Sequence, residues 1–170
     1  MKNIFKNVLV AATVAWAATS QAAPVQYDFQ YTTSGGVLAG SLIGDLQGDG
    51  NKIVVSSFVD FVTFNGVGSL SLPFVETVAW LFLGTSSAAP TVSLDGRVMD
   101  LIACDSARCN GGFIFDGSGA FLRGPTFVAG PSFGSRYEPY TPSRWQIQSA
   151  NVPVPATLAL LGLGLAGIGA

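Results

Sequence analysis

Histidine is absent from all 170 residues of the chain, which removes the commonest general base and the commonest metal ligand together. Charge is scarce as well, at 11% of residues against roughly 25% in average soluble proteins. Surface polarity must therefore come from Ser, Thr, Asn, Gln and the backbone. Between the apolar ends stand ten carboxylates and six cations, with Lys52 the one lysine, for a formal charge of −4. So few cations gain little from releasing counterions off a phosphate backbone, and nucleic acid is not an expected partner. With only two cysteines, a thiolate metal cluster is excluded too, and no cofactor is expected.

Both extremities are apolar. Lys2 and Lys6 precede an apolar stretch from Val8 to Ala18, then Thr19, Ser20 and Gln21. This is the three-part layout of a secretory signal, with an apolar stretch too short to span a bilayer comfortably. Small residues at Ser20 and Ala22 place cleavage between Ala22 and Ala23. The expected partners are the Sec translocon and signal peptidase, and the central region becomes extracytoplasmic.

From Ala150 to Ala170 no charge occurs, and ATLALLGLGLAGIGA follows the stiff hinge Val152-Pro153-Val154-Pro155. A proline-started apolar helix of this kind suits a membrane, although fifteen residues rise only about 22 Å against a hydrocarbon core of ~30 Å. VPVPATLALLGLGLAGIGA resembles the C-terminal sorting signal of the PEP-CTERM proteins, which joins a Val-Pro-Glu-Pro hinge to a Leu/Gly/Ala-rich helix and a short arginine cluster. Pro153, Pro155, Ala156 and the run from Thr157 to Gly169 carry the likeness; Val154 replaces the usual Glu, and no basic cluster is present. The resemblance implies recognition by an exosortase, a membrane-embedded cysteine transpeptidase of bacteria that secrete exopolysaccharide. It also implies transient anchoring in the inner membrane, then a place in the envelope, at the cell surface or outside the cell. Gly162-x-Gly164-x-x-Gly167 matches a dinucleotide fingerprint as a string only, since no strand or βαβ unit surrounds it.

Between the ends, apolar residues alternate or form short runs broken by Gly-containing turns, which predicts strands. Tyr27, Phe29 and Tyr31 alternate with Asp28 and Gln30. Val37 to Leu46 and Ile53 to Phe64 flank Gln47-Gly48-Asp49-Gly50-Asn51, and Asn65-Gly66 offers a tight turn before Ser69 to Leu72. Asp95-Gly96 joins Thr91–Leu94 to Arg97–Cys104, and the turn from Asp116 to Gly119 joins Phe113–Phe115 to Ala120–Leu122. Val75 to Leu83 suits a short helix or a strand. Pro125 to Pro142, rich in proline and glycine, reads as an irregular loop that packs aromatics, and a last strand is expected over Arg144 to Gln148. The expected fold is all-β, an antiparallel sandwich or flattened barrel of about 8 to 10 strands between a signal helix and a C-terminal apolar helix. The layout is a signal peptide over 1–22, a β-rich domain over 23–149 and a sorting or transmembrane segment over 150–170.

Cys104 and Cys109 are expected to pair once exported, closing a small loop. Asp45, Gln47, Asp49 and Asn51 set oxygens at alternate positions around a glycine turn, as calcium loops do, but without the bidentate acid further on; an ordinary polar turn explains them equally. Gly130-x-Ser132-x-Gly134 matches a serine-hydrolase string, yet no histidine exists to take the proton. Asp60 with Glu76, or Asp100 with Asp116, could meet across a sheet as glycosidase carboxylates do. Trp80, Tyr137, Tyr140 and Trp145 could form a sugar-stacking platform, with core packing the commoner role for large aromatics.

These residues favour a non-enzymatic exported protein of the envelope or extracellular matrix, with exopolysaccharide as a candidate partner and membrane contact through the C-terminal segment. A carbohydrate-binding module is the alternative, and a hydrolase with paired carboxylates the third.

Overall fold

The computed structural model describes residues 24–119 and 124–150. The signal helix, the Ala22/Ala23 cleavage site and the sorting residues Val152, Pro153, Val154, Pro155 and Ala156 lie outside them. The described elements run β1 Val25–Thr33, β2 Gly36–Leu46, β3 Lys52–Phe64, β4 Val67–Leu70, β5 Phe74–Glu76, α1 Val78–Leu83, β6 Thr91–Ser93, β7 Met99–Cys104, β8 Gly112–Asp116, β9 Thr126–Ala129, β10 Arg136–Pro139 and β11 Trp145–Ser149.

All eleven strands belong to one antiparallel sheet, with the path β10-β9-β8-β7-β6-β3-β2-β1-β11. The expected all-β antiparallel fold is present, but in place of a sandwich or closed flattened barrel of 8 to 10 strands a single sheet of eleven described strands curls into a half-barrel. Among the described residues the ladder passes from β3 to β7 through the three residues of β6, while further along β3 pairs with β4 and β7 with β5. Curling brings β1 across to β8 and β9, so that Tyr31 packs 5.1 Å from Phe115 and 4.9 Å from Phe127 between ring centroids.

Alternation sets which face is dry. Along β1, Tyr27, Phe29, Tyr31 and Thr33 are buried while Asp28, Gln30 and Thr32 face outward. The interior is largely aromatic, with Phe29 stacked on Trp145, Tyr31 on Tyr140 and Phe113 beside Phe133. Edge-to-face and offset pairs of this kind add to plain area burial.

Expected turns recur where glycine or asparagine permits positive φ. Asn65 and Gly66 sit at φ 54° and 67°, and the Asn65 carboxamide oxygen accepts the Val37 N–H at 2.8 Å. A bulge interrupts β2·β3, where Ala39 faces Thr63 but Ser41 faces Val59, and Asp60 takes φ 57°. Gly40 lies opposite that bulge, where a Cβ would come within 2.9 Å of Val62 and 3.2 Å of the Phe29 ring.

Val75 to Leu83 divides into β5 and α1. Thr77 caps the helix by accepting the Trp80 N–H, and Gly84 ends it at φ 70° with its N–H on Trp80 O. On the outer face of the sheet Val78 packs with Ile102 and Cys104 in a second small core. Among the described residues no helix is long and apolar enough to cross a membrane.

The expected irregular loop from Pro125 to Pro142 is corrected: it holds β9, a 3₁₀ turn at Pro131–Phe133 and β10. Its prolines terminate strands instead of preventing them, and Pro139 closes β10 at the sheet edge. Phe127, Phe133 and Tyr140 from this stretch are buried, as aromatic packing requires. The partner of β8 is β9, with Asp116 opposite Thr126, and the expected strand over Ala120–Leu122 falls in the residues not described.

Candidate functional site

Of the two carboxylate pairs, the sheet brings Asp100 and Asp116 together as direct cross-strand partners in β7·β8. Asp60 stands on the β3 bulge and Glu76 ends β5, on strands that do not pair. Asp116 is 1% exposed, and its Oδ1 accepts the Ser118 hydroxyl at 2.9 Å and the Gly119 N–H at 2.8 Å. Asp100 Oδ1 accepts the Val78 N–H at 2.7 Å. Burial raises the Asp100 pKa above the usual carboxylate value and the Asp116 charge adds to this, while the Val78 N–H opposes it. Each acid thus has a fold-building task, Asp100 at the first turn of α1 and Asp116 in the turn that leaves β8.

The 45–51 stretch is a polar hairpin turn. Asp49 Oδ1 accepts the N–H groups of Asn51 and Lys52 at 3.0 and 2.9 Å, and these bonds hold its pKa below the ordinary value. Gln47 donates its amide to Asp45 O, and Asn51 Oδ1 accepts the Asp95 N–H at 3.2 Å. The oxygens of Asp49 and Asn51 are therefore used inside the loop and on the neighbouring 94–97 turn.

The four aromatics are not brought onto one surface. Trp145 is 5% exposed, stacked on Phe29 and donating its indole N–H to Ser93 O at 2.9 Å. Tyr140 is also buried, with its hydroxyl on Gly96 O at 2.8 Å and its pKa driven upward by burial. Trp80 is half-buried against Phe74 on the other face of the sheet, and Tyr137 is 63% exposed on β10. Cys104 and Cys109 are joined by a disulfide with Cα atoms 4.9 Å apart. Ser132 lies in the 3₁₀ turn between β9 and β10, not in a strand-to-helix elbow.

One surface escaped the sequence reading. On the outer face of β1, β2 and β11 a groove of about 270 Å³ is lined by Asp28, Gln30, Ala39, Gln146 and Gln148. Gln30 and Gln146 bond through their side-chain amides, and Ser41 donates to Asp28 at 2.6 Å. The signal was the outward set of WQIQS, whose glutamines gained meaning only once β11 lay beside β1.

β11 leads directly into the C-terminal segment, with the Ala150 N–H bonded to Gln26 O at 2.8 Å. Residues 151–170 match the family model of the PEP-CTERM protein-sorting motif. The chain carries a PEP-CTERM sorting signal. No curated protein and no solved structure matches the chain. A PEP-CTERM signal implies a secretory route and processing by an exosortase, which agrees with the disulfide in the β-domain.

Proposed function

We propose that this chain is a non-enzymatic exported protein, routed by its PEP-CTERM signal to the cell envelope or extracellular matrix, where the β-domain serves as a structural or interaction module. The sorting motif over 151–170, starting just past the last strand of the domain, is the observation that carries this reading. Support comes from the fate of the acids: Asp100, Asp116, Asp49 and Asp95 spend side-chain oxygens on backbone N–H groups of their own turns and helix. A matrix destination makes exopolysaccharide the candidate partner.

The test is fractionation of cells with and without exosortase, with both mature termini read by mass spectrometry. The expected product begins at Ala23, is cut near the Val152–Ala156 hinge and is found in the envelope or medium. An intact Met1 in a soluble cytosolic pool with free Cys104 and Cys109 thiols would sink the proposal.

A further inference from the structure

The strand path of the curled sheet ends at β10 and at β11, apart from the short branch strands β4 and β5, and the chain treats the two ends differently. At β10 the tip of the β1·β2 hairpin closes over the strand: the Ser34 N–H donates to Glu138 Oε2 at 3.0 Å. The Arg136 guanidinium lies against Gly35 so closely that a Cβ there would come within 2.1 Å of it. Pro139 ends β10 without an N–H to offer. These are the usual devices for blunting an edge. β11 has none of them, since Trp145–Ser149 holds no charge, no proline and no bulge in its register with β1.

The phase of the ladder shows which backbone groups remain. The Ala150 N–H bonds to Gln26 O, so the alternate pairs Gln148 with Asp28 and Gln146 with Gln30 turn their N–H and C=O groups toward β1. Ile147 and Ser149 turn theirs the other way. Among the described residues β11 pairs with β1 alone.

We propose that β11 is the docking edge for a second copy of this chain, paired antiparallel about a two-fold axis at Ile147. The strand is self-complementary in that register: Ile147 meets the partner's Ile147 through the outward backbone groups, and Gln146 lies opposite the partner's Gln148. The outer face then extends the existing Gln30–Gln146 amide pair into a ladder across the joint, with no like charges opposed. Because the β10 edge is blunted and the branch strands β4 and β5 offer edges of only four and three residues, a head-to-tail array has no matching edge to use, and the assembly stops at a symmetric dimer.

The exported chain, purified in detergent, is tested by sedimentation over a concentration series and by hydrogen exchange. Ile147→Pro deletes an outward N–H and spares the bonds to β1, so it should weaken the dimer roughly 100-fold for the two hydrogen bonds lost, with near-UV dichroism unchanged. Gln146→Lys with Gln148→Lys sets lysines opposite lysines and should also dissociate it should the proline variant misfold. In the dimer the Ile147 and Ser149 amides exchange slowly, and they lose that protection on dilution. A chain monomeric at every concentration, a dimer that survives both variants, or protection of those amides in the monomer by residues 151–170 overturns the proposal.

Discussion

Asp100 accepts the Val78 backbone N–H at 2.7 Å, and this bond ties the start of α1 to the second strand of the β6·β7 hairpin. The same carboxyl faces Asp116, and its pKa stands above the ordinary value chiefly because of burial. Between the unfolded and folded pKa values the native state holds the extra proton, so this group's contribution to stability is full below the unfolded value and falls as pH rises through the folded one. Asp49 and Asp95, whose pKa values are lowered by backbone N–H bonds, work in the opposite sense and weaken the fold as pH drops. Asp100→Asn keeps an oxygen for Val78 without the charge. Its melting temperature relative to the native chain should be most favourable near neutral pH and lose that advantage toward pH 4, as read by thermal melts across the range.

Trp145 performs two tasks, stacking on Phe29 and satisfying the buried Ser93 carbonyl. Trp145→Phe keeps much of the ring contact and leaves the Ser93 carbonyl to the Gly96 N–H alone, at a cost of about 0.5–1.5 kcal/mol for the hydrogen bond lost. Trp145→Ala should cost about 3–5 kcal/mol. Urea denaturation measures both. Any loss of glycan binding in the alanine variant would have to be read against that loss of fold.

The disulfide closes a short loop next to the satellite core formed by Val78, Ile102 and Cys104. Cys104→Ser with Cys109→Ser should lower unfolding free energy by about 2 kcal/mol on the chain-entropy account. Alkylation of the native exported chain should label neither cysteine until reductant is added.

Asp60 holds φ 57° in the β3 bulge on an exposed stretch of strand. Asp60→Gly should be neutral or stabilising by up to about 1 kcal/mol, while Asp60→Val should destabilise by roughly 1–2 kcal/mol because a β-branched residue is strained there. Parallel denaturation curves of the two variants check the contrast.

Local chemistry made the β1 alternation, the β2·β3 hairpin and the Asn65-Gly66 turn readable, because each is decided by neighbours in sequence. β9 and β10 were not readable: four residues between prolines carry too little period, and Thr126–Ala129 becomes a strand only when β8 offers it a ladder. Curling was hidden for a related reason, since nothing near β6 in the sequence shows that the ladder passes from β3 to β7 through its three residues. The sequence allows Asp100 to meet Asp116 across a sheet, but their commitment to α1 and to the 116–119 turn depends on groups brought together only by the fold. For Trp145 and Tyr140 the sequence leaves a stacking platform and the commoner core packing both open; the fold places them in the core, with hydrogen bonds to Ser93 and Gly96 satisfying their polar ends.

The Ala150–Gln26 bond sets the domain's entry and exit side by side on adjacent antiparallel strands. A load carried between the C-terminal segment and residues before Val25 would meet the β1·β11 ladder one rung at a time, peeling it like a zipper instead of shearing all rungs together. Mechanical failure would begin at that corner, with Ser149 back to Gln146 lifting first and the peeling checked at Trp145, which the aromatic interior grips, and slack would let the strand settle back.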